Sequence, residues 1–154
     1  MVTLCVETRC RDVESLKKYL YTADNCFSPP LSKQVDIEDY AHKMAESAHL
    51  IWCVDGQKKV GLCAFYANRP PMAFLTSLSV LKEYQGKGLA KDMLEKMVFF
   101  CEQNGCQLIM LEVYKENCRA RRLYKKAGFV LIEEDGEKYT MCRKVKNITE
   151  GEGT

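Results

Sequence analysis

Apolar and polar residues alternate along this chain with two periods, which divide it into predicted strands and helices. Residues 2–7 alternate one by one and predict a half-buried strand. Asp12 and Asp36 each precede a stretch whose apolar residues recur on one helical face, and an aspartate there caps a helix. Helices are therefore predicted over residues 13–21 and 36–48, with a loop at 25–32 that contains two prolines.

Glycine-bearing turns divide the rest of the chain. Asp55-Gly56 and Asp135-Gly136 each join two apolar segments, as in hairpins, and Gly105 and Gly128 follow helical patterns. The further predicted strands cover residues 50–54, 60–66, 74–81, 106–114, 129–134 and 138–143, and the further predicted helices cover 89–103 and 117–127. This order predicts one mixed α/β domain, residues 1–146, and a polar tail, 147–154, that is expected to be disordered.

Composition narrows the class of protein. No apolar run approaches the ~18 residues of a membrane span, and the first residues lack the apolar core of a signal peptide. The net charge is +2 without a dense basic block, which argues against nucleic acid as a main partner. Nine cysteines, an odd number without a C-x-x-C pair, predict reduced thiols in a cytoplasmic protein and no metal site.

The segment Val80 to Ala90 reads V-L-K-E-Y-Q-G-K-G-L-A and joins a predicted strand to a predicted helix. A glycine-bearing turn before a helix presents free backbone N–H groups to one point, where the helix dipole favours a phosphate. A P-loop requires a serine or threonine after its Gly-Lys pair, but Gly86-Lys87 is followed by Gly88. Lys91 occupies the third glycine position of a dinucleotide fingerprint, so that motif is broken as well. A plain tight turn remains the alternative.

A second segment, Glu112 to Phe129, reads E-V-Y-K-E-N-C-R-A-R-R-L-Y-K-K-A-G-F. Together with Q-G-K-G-L-A at 85–90, it resembles the two conserved blocks of the GCN5-related N-acetyltransferases, the GNAT family, over roughly residues 50–144. The resemblance implies a mixed, largely antiparallel twisted sheet of about seven strands flanked by four helices. It also implies acetyl-CoA as cofactor and an amine as acceptor.

The resemblance assigns the cofactor contacts to particular positions. The backbone of Ser79 and Val80 pairs with the pantetheine arm, and the amides of 85–90 bind the pyrophosphate. Asn117 hydrogen-bonds the arm or only caps its helix, Ala120 is small enough for the arm to pass, and Lys87 adds charge or is simply solvated. The cofactor residues are thus Ser79, Val80, Gln85, Gly86, Lys87, Gly88, Leu89, Ala90, Asn117, Ala120 and Tyr124.

Direct attack of an amine on a thioester requires few catalytic groups. The Val80 amide is the candidate donor to the carbonyl oxygen, and Tyr124 is the candidate acid for the departing thiolate. A core tyrosine is the alternative for Tyr124. Glu112 lies inside an apolar run, where partial burial would raise its pKa toward neutrality and suit a base. A purely structural glutamate is equally compatible with the sequence.

The acceptor is less defined than the cofactor. By the resemblance, acceptor specificity comes from the first two helices, their loop and the last hairpin, so Phe27, Tyr66 and Tyr139 are expected to line the acceptor site with Glu112. An amino sugar, a peptide N-terminus, a polyamine and a small amine all remain open. The alternative function is a non-catalytic domain that binds acyl-CoA. A monomer or homodimer is expected.

Overall fold

One mixed sheet organises the part of the chain that the computed structural model describes, residues 1–8 and 12–145. Its seven strands run in the order β1-β2-β3-β4-β5-β7-β6. Only β4 and β5 pair in parallel, so the prediction of a mixed, largely antiparallel sheet is confirmed. The strands are β1 (Val2–Glu7), β2 (His49–Asp55), β3 (Lys58–Arg69), β4 (Met72–Val80), β5 (Leu108–Tyr114), β6 (Val130–Asp135) and β7 (Lys138–Lys144).

The helices follow the predicted pattern with one addition. Asp24 accepts hydrogen bonds from the amide and hydroxyl of Ser32, at 2.7 and 2.8 Å, so the segment predicted as a loop closes into short helical turns. Four predicted helices become five because α2 starts directly after Pro30. The helices are α1 (Val13–Thr22), α2 (Leu31–Gln34), α3 (Ile37–Ser47), α4 (Leu89–Gln103) and α5 (Cys118–Lys126), with 3-10 turns at Asp24–Cys26 and Lys82–Tyr84.

The predicted caps explain why the helices begin where they do. Asp12 accepts from the Ser15 amide at 3.0 Å, and Asp36 accepts from the Asp39 amide at 3.2 Å. Each carboxylate thereby satisfies a backbone donor that the first helical turn leaves unpaired. None of the helices among the described residues is long and apolar enough to span a bilayer.

The helices cover the two faces of the sheet unequally. On one face, Tyr19 of α1 packs edge-on against Trp52, with ring centroids 5.3 Å apart, and Tyr40 of α3 donates to the Thr76 carbonyl at 2.6 Å. On the other face, Phe100 of α4 packs on Phe65 at 5.4 Å. Helix α5 lies on this second face, where Arg143 of β7 donates to its C-terminal carbonyl at Ala127.

The cysteines are mostly core residues. Cys53, Cys63, Cys101 and Cys106 are buried, and the eight cysteines within the described residues are all free thiols. Burial raises the pKa of Cys53 to about 11, which keeps this thiol neutral at physiological pH. Cys5 is exposed because β1 forms an edge of the sheet. The tail predicted at 147–154 lies outside the described residues.

Candidate functional site

The site begins where the two parallel strands separate. Strands β4 and β5 pair from Met72–Leu108 to Leu75–Leu111 and then diverge. Between the diverging halves lies a cavity of about 330 Å³. It is bounded by β4, the end of β5, the 85–90 turn, α5 as far as Tyr124 and the 26–31 segment. The separation leaves the β5-facing edge of β4 without a strand partner beyond Leu75.

The free edge of β4 presents backbone groups to this cavity. The Leu81 amide donates to the Val60 carbonyl at 2.8 Å, so this position points toward β3. Because alternate residues of an antiparallel strand bond to the same neighbour, Ser79 also points toward β3, whereas Leu78 and Val80 point to the free edge. The prediction for Val80 therefore agrees with this geometry. The Ser79 backbone faces β3 rather than the predicted pantetheine side, and the Leu78 backbone shares the free edge with Val80.

Ser79 contributes to the site through its side chain instead. Its hydroxyl lies 2.9 Å from the Tyr19 hydroxyl, and both residues are buried. Burial raises the pKa of Tyr19, so the phenol stays neutral. This contact ties α1 to β4 at the cavity wall.

The 85–90 turn has the geometry of an anion site. Gly86 and Gly88 have φ of +80° and +81°, left-handed values that favour glycine, and neither position has a neighbouring atom within 4 Å of an added Cβ. The first α4 bond runs from the Asp92 amide to the Gly88 carbonyl at 3.0 Å. The amides between them, 89–91, precede the helical ladder and are available to a ligand, as the first N–H groups of any helix are.

Two side-chain hydrogen bonds hold this turn in place. Gln85 donates through Nε2 to the Val80 carbonyl at 2.9 Å and accepts from Arg119 of α5 at 2.5 Å. The turn is thereby connected to both walls of the cavity. Lys87 is exposed and does not line the cavity, whereas Gln85, Gly86, Gly88, Leu89 and Ala90 do.

Helix α5 supplies the opposite wall. Asn117 accepts from the Ala120 amide at 3.1 Å, so the predicted cap is present, and both residues line the cavity. Tyr124 lies one turn further and is 8% exposed. Burial raises its pKa, so the phenol keeps its proton at neutral and moderately alkaline pH. A neutral phenol at this wall can donate a proton into the cavity.

We expect Asn117→Ala to lower the free energy of unfolding by about 1 kcal/mol, because it removes the cap of α5. Urea denaturation measures this change, and Asn117→Ser, which keeps a capping oxygen, is the matched control. Equal stability of the two variants would show that the cap contributes little. A higher KM for acetyl-CoA in both variants would indicate that the amide group itself contacts the ligand.

Glu112 is not in the environment that the sequence predicted. Its side chain is 52% exposed and lies 3.5 Å from the Lys138 ammonium. The expected partial burial was wrong because α4 and α5 cover β5 on one face only, and Glu112 points to the other face. It does line the cavity, at the mouth where β4 and β5 separate.

The three predicted acceptor rings are not brought together. Phe27 lines the cavity, but Tyr66 and Tyr139 do not. Tyr66 lies on β3 with its hydroxyl buried and without a partner among the described residues. Tyr139 lies against α5, where the Arg121 guanidinium is 4.9 Å from its ring centroid. The predicted aromatic wall therefore does not form at the cavity.

Sequence reasoning missed Tyr40. Tyr40 lies among the apolar residues of α3, and its hydroxyl donates to the Thr76 carbonyl at 2.6 Å and contacts the Thr76 hydroxyl at 3.0 Å. This is the point where β4 leaves β5. A tyrosine on a buried stripe needs a partner for its hydroxyl, and that need is the signal that could have identified Tyr40.

Comparison with known proteins decides the family. The model of the acetyltransferase (GNAT) family matches residues 14–129, three quarters of the chain. The chain belongs to the GNAT family.

Among GNAT relatives, the spermine/spermidine N(1)-acetyltransferase of Bacillus subtilis is 33% identical over 75 residues, 46% of this chain and 49% of that protein. The [ribosomal protein bS18]-alanine N-acetyltransferase of Haemophilus influenzae is 42% identical over 57 residues, 37% of this chain and 38% of its own length. The matched segments thus span about half, or less, of these curated relatives.

Solved GNAT structures share the whole fold. The ribosomal-protein-S18-alanine N-acetyltransferase of Escherichia coli has a TM-score of 0.71 at 19% identity, covering 96% of each chain. The PaiA N-acetyltransferase of Thermoplasma acidophilum, solved with coenzyme A, has a TM-score of 0.69 at 16% identity, covering 92% of this chain and 99% of that one. At these identities the likeness shows the fold.

Proposed function

We propose that this GNAT protein is an acetyl-CoA-dependent N-acetyltransferase that acts by direct attack of a primary amine in a ternary complex. The observation that carries the proposal is the cavity between the diverging strands, because its donors suit the parts of acetyl-CoA. An unpaired strand edge suits the amides of a pantetheine arm. The left-handed glycines and free α4 amides suit a pyrophosphate, and the small Ala120 leaves room at the α5 wall.

The residues of the chain can supply the groups that the reaction needs. Acetyl-CoA, when bound, supplies a thioester whose carbonyl carbon an amine can attack. The Val80 and Leu78 amides, on the free edge, are candidate donors to a developing oxyanion. The neutral Tyr124 hydroxyl can give its proton to the departing sulfur as the C–S bond breaks. Glu112, at the mouth, can accept the proton that the amine loses, directly or through one water.

Glu112→Gln tests the base assignment. We expect kcat to fall roughly tenfold to a hundredfold near pH 7, because an amide cannot accept the proton, with an unchanged KM for acetyl-CoA. The difference in kcat between Glu112→Gln and the unmodified protein should become smaller at high pH, where more of the amine is already deprotonated. The measurement is the pH dependence of kcat with a small amine.

The matched control is Lys138→Gln, which removes the ion-pair partner of Glu112 but leaves the carboxylate. It should retain most of the activity. If the Glu112→Gln enzyme turned over at the normal rate, Glu112 would have only the structural role that the sequence also allowed.

The proposed function itself is tested by ligand stabilisation and product detection. Acetyl-CoA should raise the melting temperature, as any ligand that binds only the folded state does. Release of free thiol should then require an amine, with the acetylated amine detected by mass. Stabilisation without thiol release over a wide panel would favour the alternative, a non-catalytic acyl-CoA-binding domain. No stabilisation by acetyl-CoA or CoA would refute both.

The named relatives act on different acceptors, so several acceptors remain candidates for this protein. One relative is named for spermine and spermidine and another for the alanine of ribosomal protein bS18, so amines of different size are acetylated within the family. An amino sugar is a further candidate from the sequence. The eight cysteines within the described residues are free thiols, which fits a reducing compartment, so we propose the cytoplasm as the site of action.

A further inference from the structure

The described residues leave one face of the sheet uncovered next to the cavity mouth. In β4, Ala73 and Leu75 are buried, whereas Met72 and Phe74 are 41% and 37% exposed. Strand β5 repeats this alternation, with Leu111 buried and its neighbour Glu112 exposed. Helices α1 and α3 contact this side of the sheet at Trp52 of β2 and Thr76 of β4, whereas Glu112 of β5 and Val130 of β6 are 52% and 59% exposed. We call the uncovered surface the open face.

The first row of the open face is apolar. Phe74 pairs with Met110, Met110 with Cys142, and Cys142 with Val130, so these four side chains lie side by side across four strands. Val130 is 59% exposed at the edge strand β6. Neighbouring strands lie about 4.8 Å apart, so the row is about 14 Å long, the reach of roughly four residues of extended chain. A small amine would leave most of it uncovered.

The second row of the open face is acidic. Glu112 pairs with Thr140, and Thr140 pairs with Glu133. Lys138 reaches Glu112, but Glu133 has no ion-pair partner among residues 1–8 and 12–145. Glu112 belongs both to this row and to the lining of the cavity. The open face is therefore continuous with the proposed site of amine attack.

We propose that the acceptor is a polypeptide whose N-terminal amine enters the cavity mouth and whose next residues, apolar and basic, lie on the open face. The inference rests on the proposed function. Apolar side chains would cover the row from Phe74 to Val130, and basic side chains would meet Glu133. Alternate residues of an extended peptide point in opposite directions, so a peptide lying between the two rows would direct apolar side chains to one row and basic side chains to the other.

The test compares two six-residue peptides with free N-termini, both beginning with alanine. One continues with alternating leucine and lysine, and the other with alternating serine and aspartate. The first should have a kcat/KM at least about tenfold higher, from burial of apolar side chains and charge complementarity. Val130→Lys should remove about tenfold of that preference, with no change in turnover of n-butylamine or in the KM for acetyl-CoA.

Two further variants separate this explanation from a general surface effect. Phe99→Lys alters an equally exposed apolar residue, 61% exposed, on α4 at the other side of the sheet. It should not change the kcat/KM of either peptide. Glu133→Lys should lower the kcat/KM for the lysine-containing peptide and raise it for the aspartate-containing peptide. Equal use of the two peptides by the unmodified protein, or insensitivity to Val130→Lys, would overturn the inference.

A second copy of the chain is the competing occupant of the open face. Analytical ultracentrifugation of the unmodified protein and of Val130→Lys distinguishes it. A dimer that Val130→Lys dissociates, with peptide kinetics unchanged, would assign the face to self-association and overturn the inference. Turnover of n-butylamine without peptide preference would overturn only this inference, whereas no turnover of any amine would overturn the proposed function.

Discussion

Replacing Tyr124 with phenylalanine should lower kcat by about a hundredfold or more, the usual contribution of a positioned general acid. The Tyr124 hydroxyl has no hydrogen-bond partner among the described residues, although the side chain lines the cavity. The substitution removes the proton donor and leaves the ring packed against Phe129, with centroids 5.8 Å apart. The melting temperature and the KM for acetyl-CoA should therefore stay close to those of the unmodified protein.

The pH dependence of the unmodified protein gives a second check on Tyr124. Burial raises the pKa of this phenol above its ordinary value of 10.0, so the acid form persists to higher pH than in a free tyrosine. Activity should then show no loss between pH 8 and pH 10 from deprotonation of the acid. A fall in kcat over that range that Tyr124→Phe abolishes would contradict the raised pKa.

Tyr66→Phe is the matched control for Tyr124→Phe. The Tyr66 hydroxyl is buried and has no hydrogen-bond partner among the described residues, and burial raises the pKa of Tyr66 to about 12. Tyr66 does not line the cavity, so loss of this hydroxyl should leave kcat unchanged. If both variants lost activity to the same degree, the effect of Tyr124→Phe would reflect packing rather than proton transfer.

Gly88→Ala should weaken acetyl-CoA binding about fivefold to thirtyfold, because a left-handed conformation costs a residue with a Cβ roughly 1–2 kcal/mol. Gly88 has φ of +81°, and no atom lies within 4 Å of the added methyl group, so the backbone conformation is the constraint. Relief of the strain would rotate the peptide units whose amides start α4. The measurement is the KM for acetyl-CoA, or its dissociation constant by calorimetry.

Gly56→Ala separates the loss of binding from the backbone strain. Gly56 has φ of +66° in the turn between β2 and β3, and it also has no atom within 4 Å of an added Cβ. Both variants should lose similar stability, but only Gly88→Ala should lose affinity for acetyl-CoA. Equal effects on affinity would mean that the 85–90 turn does not hold the pyrophosphate.

Much of the fold was predictable because local rules and tertiary packing agree. Helix α4 was predicted at its observed bounds, Leu89–Gln103, since a glycine turn, an apolar stripe and Asn104-Gly105 all indicate the same element. Helix α2 was missed because it depends on the Asp24 side chain bonding eight residues ahead at Ser32. Such a contact leaves no periodic pattern in the sequence.

The cavity was predictable at its backbone and less so at its side chains. The glycine turn, Asn117 and Tyr124 were predicted from short motifs, and they line one cavity. The environments of Glu112, Tyr66 and Tyr139 depend on which face of the sheet the helices cover, and a run of apolar residues does not reveal this. The direction of the Ser79 backbone depends on the register between β3 and β4, set by the pair Leu62–Ser79.

The brief parallel pairing of β4 and β5 has a mechanical consequence. Four residue pairs join these strands, against seven between β5 and β7. The sheet therefore consists of two plates, β1 to β4 and β5 to β7, connected by a narrow seam at residues 72–75 and 108–111. A ligand whose amide groups bond along the free edge of β4 while its other side rests on α5 bridges the two plates. Its binding energy then adds directly to their cohesion, and amide hydrogen exchange across the seam should slow when it binds. Acetyl-CoA bound in this way would complete the sheet that shapes its own site.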